Sequence, residues 1–239
     1  MLGLLRQQFT AIFIVAGAIA AAPILFAGAA AFAHTVKQLE SLLEEKEAYF
    51  QPVDQVAPSF TLQDEHGRPV RLADFRGKVV VLHFIYATCP DVCPLHAERL
   101  AEVQEMVNQT PMTAQVQFVS ITTDPRNDSP AMLRDYGPAH GLDPPNWVFL
   151  TTTPDQPEDA TRQLAHDYGH KFATTDGNYQ VHGVVTHVID KEGRWRANFH
   201  GLEFKPANLV VFINALVNDT QMPRHHGPHS WWDKVKSWF

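Results

Sequence analysis

The chain has 239 residues, with 26 Asp and Glu against 19 Lys and Arg, a formal net charge of −7. That length suits one domain with additions, and the acidic balance excludes binding nucleic acid by neutralising phosphates. Two cysteines exclude a disulfide-stapled mini-fold and a thiolate zinc cage, while thirteen histidines are the unusual figure.

No side chain from Gln7 to Ala33 is charged, and Arg6 is the only charged side chain before them. Residues 9–33 would reach about 37 Å as a helix at ~1.5 Å per residue, against a hydrocarbon core of about 30 Å. An N-terminal transmembrane helix is therefore expected, with Arg6 keeping the start inside and the rest outside the cytoplasm. The competing reading is a signal segment cleaved near Ala33, since Ala31-Phe32-Ala33 has the A-x-A form. In both cases the remainder lies in an oxidising compartment, on the periplasmic side of a cell inner membrane. The chain thus divides into an anchor or signal segment at 1–35, a stalk helix and linker at 36–52, a core domain at 53–220, and a His- and Trp-rich tail at 221–239.

Val36, Leu39, Leu42 and Leu43 recur at helical spacing and predict the stalk helix over 36–48. A small hairpin is expected from 59–62 and 70–72, around Asp64-Glu65-His66-Gly67. The run KVVVLHFIY over 78–86 reads as a strand buried on both faces. A helix over 93–108 follows, with Leu95, Leu100, Val103 and Met106 on or near its apolar face, and then a strand over 115–122. Ser129-Pro130 is an N-cap with proline at the first helical position, opening a helix to about Gly137. A strand at 147–150, a helix at 157–168, a hairpin from 184–190 and 195–199 around Lys191-Glu192-Gly193, and a helix from Pro206 through Val217 complete the domain. This order predicts an α/β sandwich with a mixed sheet.

Both cysteines fall in Cys89-Pro90-Asp91-Val92-Cys93-Pro94, just after the buried strand and at a helix start. The partial positive charge of a helix N-terminus favours thiolate. A separation of four lets both sulfurs face one side of a first turn, near enough for a disulfide or one shared metal ion. A structural disulfide closing so short a loop would remove little chain entropy. Dithiol reductases of thioredoxin type carry a cis-proline before a late strand, yet residues 160–205 contain no proline. His182 lies there instead, which points to a third ligand.

At these residues the chain resembles the Sco/SenC proteins, copper-binding assembly factors for cytochrome c oxidase. The string Tyr86-Ala87-Thr88-Cys89-Pro90-Asp91-Val92-Cys93-Pro94 is similar to the family's C-P-D-V-C-P after an aromatic strand, and Asp124-Pro125-Arg126-Asn127-Asp128-Ser129-Pro130 to its D-P-x-x-D-T-P. His182, eleven residues before Gly193, stands where the family's ligand histidine does, although Val181 replaces an acidic residue and Gly183 follows it. The resemblance covers roughly residues 53–218. It implies a thioredoxin-like three-layer sandwich with Cys89, Cys93 and His182 as the ligands of one copper ion. It further implies that Cys89 and Cys93 form a redox-active pair, and that the chain is a chaperone for an oxidase's copper-binding subunit rather than an enzyme in the turnover sense. Two thiolates and one imidazole also form a donor set that selects Cu(I), which accepts three ligands, whereas zinc would want a fourth. Oxidation to a disulfide would expel the metal, so a thiol reductant partner is required. The alternative is a thiol–disulfide reductase that keeps the oxidase subunit's cysteines reduced.

Among the other histidines, His187 lies five residues from His182 inside an apolar run and reads as core, as does His83. His96, one turn after Cys93, could approach the thiols. Asp124 and Asp128 read as a structural turn with capping. The tail histidines His225, His226 and His229 read as a solvated segment or a weak second metal site, and Trp231, Trp232 and Trp238 as a contact with the membrane interface.

Overall fold

The computed structural model describes residues 35–142, 144–174, 180–181 and 183–219. The expected anchor at 9–33, the expected ligand His182 and the tail from 220 lie outside the described residues. The elements run α1 (Val36–Lys46), β1 (Phe50–Val56), β2 (Thr61–Asp64), β3 (Pro69–Arg71), β4 (Val79–Ile85) and α2 (Val92–Asn108). Then come β5 (Val116–Thr122), α3 (Pro130–Ala139), β6 (Trp147–Thr151), α4 (Ala160–Asp167), the two-residue strands β7 (Ala173–Thr174) and β8 (Gln180–Val181), β9 (Val185–Ile189), β10 (Arg194–His200) and α5 (Pro206–Asp219).

The sheet is built outward from the unbroken apolar run. Every residue of β4 is buried, and its side chains alternate between two cores. Val81 and Ile85 pack with Leu100 and Val103 of α2, Leu43 of α1, Leu133 of α3 and Phe212 of α5. Val80, Leu82 and Phe84 pack with Leu164 and Ala165 of α4 on the other side. Three layers result, as expected. The strand order is β1-β10-β9-β4-β5-β6-β2-β3, with β4, β5 and β6 parallel and the rest antiparallel to their neighbours, so the sheet is mixed. The carboxyl ends of β4 and β5 therefore lie side by side, where ligand sites of α/β sheets form.

Several expectations are corrected. The segment 36–52 is no separate stalk: Val36, Leu39 and Leu43 of α1 are buried in the domain core, and β1 is an edge strand of the sheet. On α2 the buried face runs through His96, Ala97, Leu100, Val103, Gln104 and Val107, whereas Leu95 and Met106 are exposed, because they sit about 100° off that stripe. The helix expected from 157 begins at Ala160, after a turn closed by Ala160 N–H on Pro157 O. Ser129 does cap α3, its hydroxyl accepting from Met132 N–H with proline following.

Candidate metal centre

The two cysteines sit where β4 gives way to α2. After Ile85 the chain turns, with Cys89 N–H on Tyr86 O at 3.1 Å, and α2 starts at Val92. Asp91 occupies the N-cap position but makes no side-chain capping bond. The backbone N–H groups of Cys93 and Asp91 and the Tyr86 hydroxyl lie on the side of the Cys89 sulfur and favour its charged form. Orphan donors of a helix start and the local dipole thus converge on one sulfur. Both cysteines are free thiols, 6% and 3% exposed.

Their acidities are driven apart. Burial alone would raise the Cys89 thiol, but the hydrogen bonds from Tyr86, Cys93 and Asp91 outweigh it and the pKa is lowered. Burial pushes Cys93 strongly up, and negative charge on Cys89 and Asp128 adds to this, against one backbone hydrogen bond from Tyr86. Cys89 is thus the more acidic thiol of the pair and Cys93 the less acidic.

Asp128 explains how the loop is fixed. Its Oδ2 accepts from Ala87 N–H at 2.8 Å and from the Thr122 hydroxyl, so a fully buried carboxylate ties the cysteine loop to the end of β5. Burial raises its pKa. Thr123 adds a second tie, its N–H reaching Ile85 O at 2.8 Å. Tyr136 of α3, 6% exposed, feels the charges of Cys93, Cys89 and Asp128, and burial with those charges holds its phenol neutral. The structural reading of Asp128 stands, but its work is done at the cysteines. Tyr86 could have been found from its place in the motif; nothing in the sequence marks Tyr136, which arrives from another helix.

The histidines divide cleanly. His96 is buried, its Nε2 2.8 Å from Thr186 Oγ1 and its ring edge-on to His83 at 4.9 Å. His83 is core, as expected, beside Ser120 and Trp147. His187 is core too, on the opposite face of the sheet, bonded to Asn198 and His170.

A family model for SCO1/SenC matches residues 50–218. The chain belongs to the SCO1/SenC family. The matched region runs from the first residue of β1 almost to the end of α5, and so takes in both cysteines, Asp128 and every strand of the sheet. The mouse protein named SCO2 homolog, mitochondrial, is 34% identical over 156 residues, which are 64% of this chain and 59% of that one. A solved SCO1/SenC family lipoprotein from Bacillus anthracis superposes with a TM-score of 0.63 at 24% identity, covering 70% of this chain and 97% of that one. Bradyrhizobium japonicum ScoI, solved with copper bound, superposes with a TM-score of 0.55 at 25% identity, covering 67% and 99%. The thioredoxin-like α/β fold of these SCO1/SenC proteins is thus the fold of this chain.

Proposed function

We propose that this protein is a copper chaperone that holds one Cu(I) between Cys89, Cys93 and His182 and passes it to the binuclear copper centre of a cytochrome c oxidase subunit. The observation that carries this reading is the pair of buried free thiols brought together at the start of α2. This donor set fits copper: thiolates are soft ligands, and a helix N-terminus offsets their charge. The copper-bound relative within the same fold supports it. Cys89 would bind first as thiolate; Cys93 then loses its proton to solvent as its sulfur joins the metal, so loading releases protons. Transfer proceeds by ligand exchange with the acceptor's own thiolates and imidazoles, with no net redox change. In this reading residues 9–33 anchor the domain on the non-cytoplasmic face of the membrane, and a thiol reductant protein keeps Cys89 and Cys93 reduced.

The split acidities favour a second reading, a thiol–disulfide reductase. The Cys89 thiolate would attack a disulfide of the oxidase subunit. The Cys93 thiol, on losing its proton, would then displace the mixed disulfide, leaving the subunit reduced and Cys89–Cys93 oxidised. Anaerobic Cu(I) titration of the reduced full chain against a competing chelator separates the two. The chaperone reading expects one copper per chain, with affinity falling at least about 100-fold in Cys89→Ser and Cys93→Ser and less steeply in His182→Ala. Disulfide exchange at full rate with no measurable Cu(I) affinity would establish the reductase instead.

A further inference from the structure

The helix that opens at the cysteines meets the sheet along a stripe that is mostly aliphatic. Ala97, Leu100, Val103 and Val107 of α2 supply the packing, with the polar side chains of His96 and Gln104 buried among them. The hydrophobic effect is non-directional, so aliphatic contacts hold the helix down without closely fixing its rotation. The two polar side chains supply direction. His96 Nε2 lies 2.8 Å from Thr186 Oγ1, and both residues are buried. A hydroxyl both donates and accepts, so this bond forms with either neutral tautomer of the ring. Thr186 is itself fixed in the sheet, paired with His83 of β4 on one side and Phe199 of β10 on the other.

The second tie lies about two turns further along α2. Gln104 Nε2 donates to Asn146 Oδ1 at 2.6 Å, beside the start of β6. β9 and β6 flank the β4–β5 pair, so the helix is tied to both sides of the sheet centre. Only the first tie is near the thiols. Cys93 stands three positions before His96, and residues so spaced are neighbours on a helix surface. Helix side chains lean toward the N-terminus, so the His96 ring covers the turn that begins with Cys93. A single buried polar residue sets register in the same way between the helices of a coiled coil, at a cost in stability.

We propose that His96 is a positioning residue whose bond to Thr186 sets the rotation of the first turn of α2, and with it where the Cys93 sulfur stands relative to Cys89. Its bearing on copper rests on the reading of the two thiols as ligands; its bearing on the thiols themselves does not. Thr186→Val removes the hydroxyl at constant shape, and His96→Leu removes the ring nitrogen. Thr186→Ser keeps the hydroxyl, and His96→Gln places an amide near the position of Nε2. Cu(I) affinity of the reduced full chain is measured for these variants, for the His96→Leu/Thr186→Val pair, and for Val103→Ala, which opens a cavity further along α2. The Cys89–Cys93 disulfide equilibrium is measured alongside, the dithiol giving two electrons and two protons to oxidised glutathione. The expected result is a loss of about tenfold in Cu(I) affinity in Thr186→Val and in His96→Leu. The disulfide equilibrium shifts at least about threefold in both. Thr186→Ser and His96→Gln keep wild-type values, and the pair falls no more than about twofold below either single variant. Val103→Ala lowers the urea midpoint and leaves both readouts unchanged. If His96→Leu does not fold, Thr186→Val carries the same expectation. Wild-type readouts in the variants that break the bond, losses that add in the pair, or an equal loss in Val103→Ala overturn the positioning role. If Cys93→Ser binds Cu(I) as wild type does, the ligand reading falls, and the glutathione equilibrium alone decides whether His96 positions Cys93.

Discussion

Cys89 and Cys93 are chemically identical side chains, four positions apart, that the fold has made unequal. The difference comes from donors: the Tyr86 hydroxyl and two backbone N–H groups aim at Cys89, while Cys93 has deeper burial and the Asp128 carboxylate for a neighbour. With limiting iodoacetamide at neutral pH, Cys89 is expected to be alkylated well before Cys93, as peptide mapping would read. Tyr86→Phe removes one hydrogen bond to the thiolate, an interaction of about 1.5–3 kcal/mol for a charged partner, so the Cys89 rate should drop several-fold. Preferential labelling of Cys93 would contradict the assignment. The pair itself was legible because two scarce residues stood together at a strand–helix junction. Which of the two is the thiolate was not, since Asp128 reaches Ala87 across 41 positions of sequence. His96 illustrates the same limit: its spacing from Cys93 is that of a possible ligand, and only Thr186 on β9 shows where its ring is engaged.

At the level of elements, the central strands and the helices that cover them were readable because their side-chain pattern repeats the packing directly. β4 is an apolar run broken only by His83, β5 is rich in β-branched and aromatic residues, and both are buried at every residue. β1 was not readable. Of its seven residues only Phe50 is buried, Pro52 interrupts the pattern, and the pairing with β10 shifts between Pro52 and Gln55. An edge strand of this kind is specified by its partner rather than by its own alternation. The place of α1 was hidden for a related reason, since beside the packing of Val36, Leu39 and Leu43 it is joined to the domain by a buried acid whose partners are distant in sequence. Glu47 at its C-terminus is 4% exposed and accepts from Lys205 N–H at 3.1 Å and Asn208 Nδ2 at 2.7 Å, at the start of α5. Glu47→Ala leaves those donors unmatched and is expected to cost about 1–3 kcal/mol, seen as a lower midpoint in urea with unchanged slope. An unchanged midpoint would mean that Glu47 adds nothing to the joint between α1 and α5.

Across the whole molecule, the buried histidines make stability depend on pH. His187 is held well below its ordinary value of 6.5 by burial first and by the neighbouring His170, so the folded chain keeps it neutral while the unfolded chain takes up a proton. Its contribution is complete above about pH 6.5 and is lost as the pH falls, by at most about 1.4 kcal/mol per pH unit. His200, lowered by partial burial, acts in the same direction. Asp128 and Glu40, both raised by burial, act oppositely but in the carboxylate range. Tm should therefore fall between pH 7.5 and 5.5, and His187→Gln should flatten that slope. A wild-type Tm constant across this interval would remove the histidine account.

The central claim is that a single Cu(I) is held by two sulfurs and one imidazole, and X-ray absorption at the copper edge of the loaded, reduced protein reads that donor set most directly. The account predicts two sulfur scatterers and one histidine nitrogen per copper in wild type, with the nitrogen lost in His182→Ala and a sulfur lost in Cys89→Ser or Cys93→Ser. A sulfur-only environment in wild type, or an imidazole signal that survives His182→Ala, would contradict it.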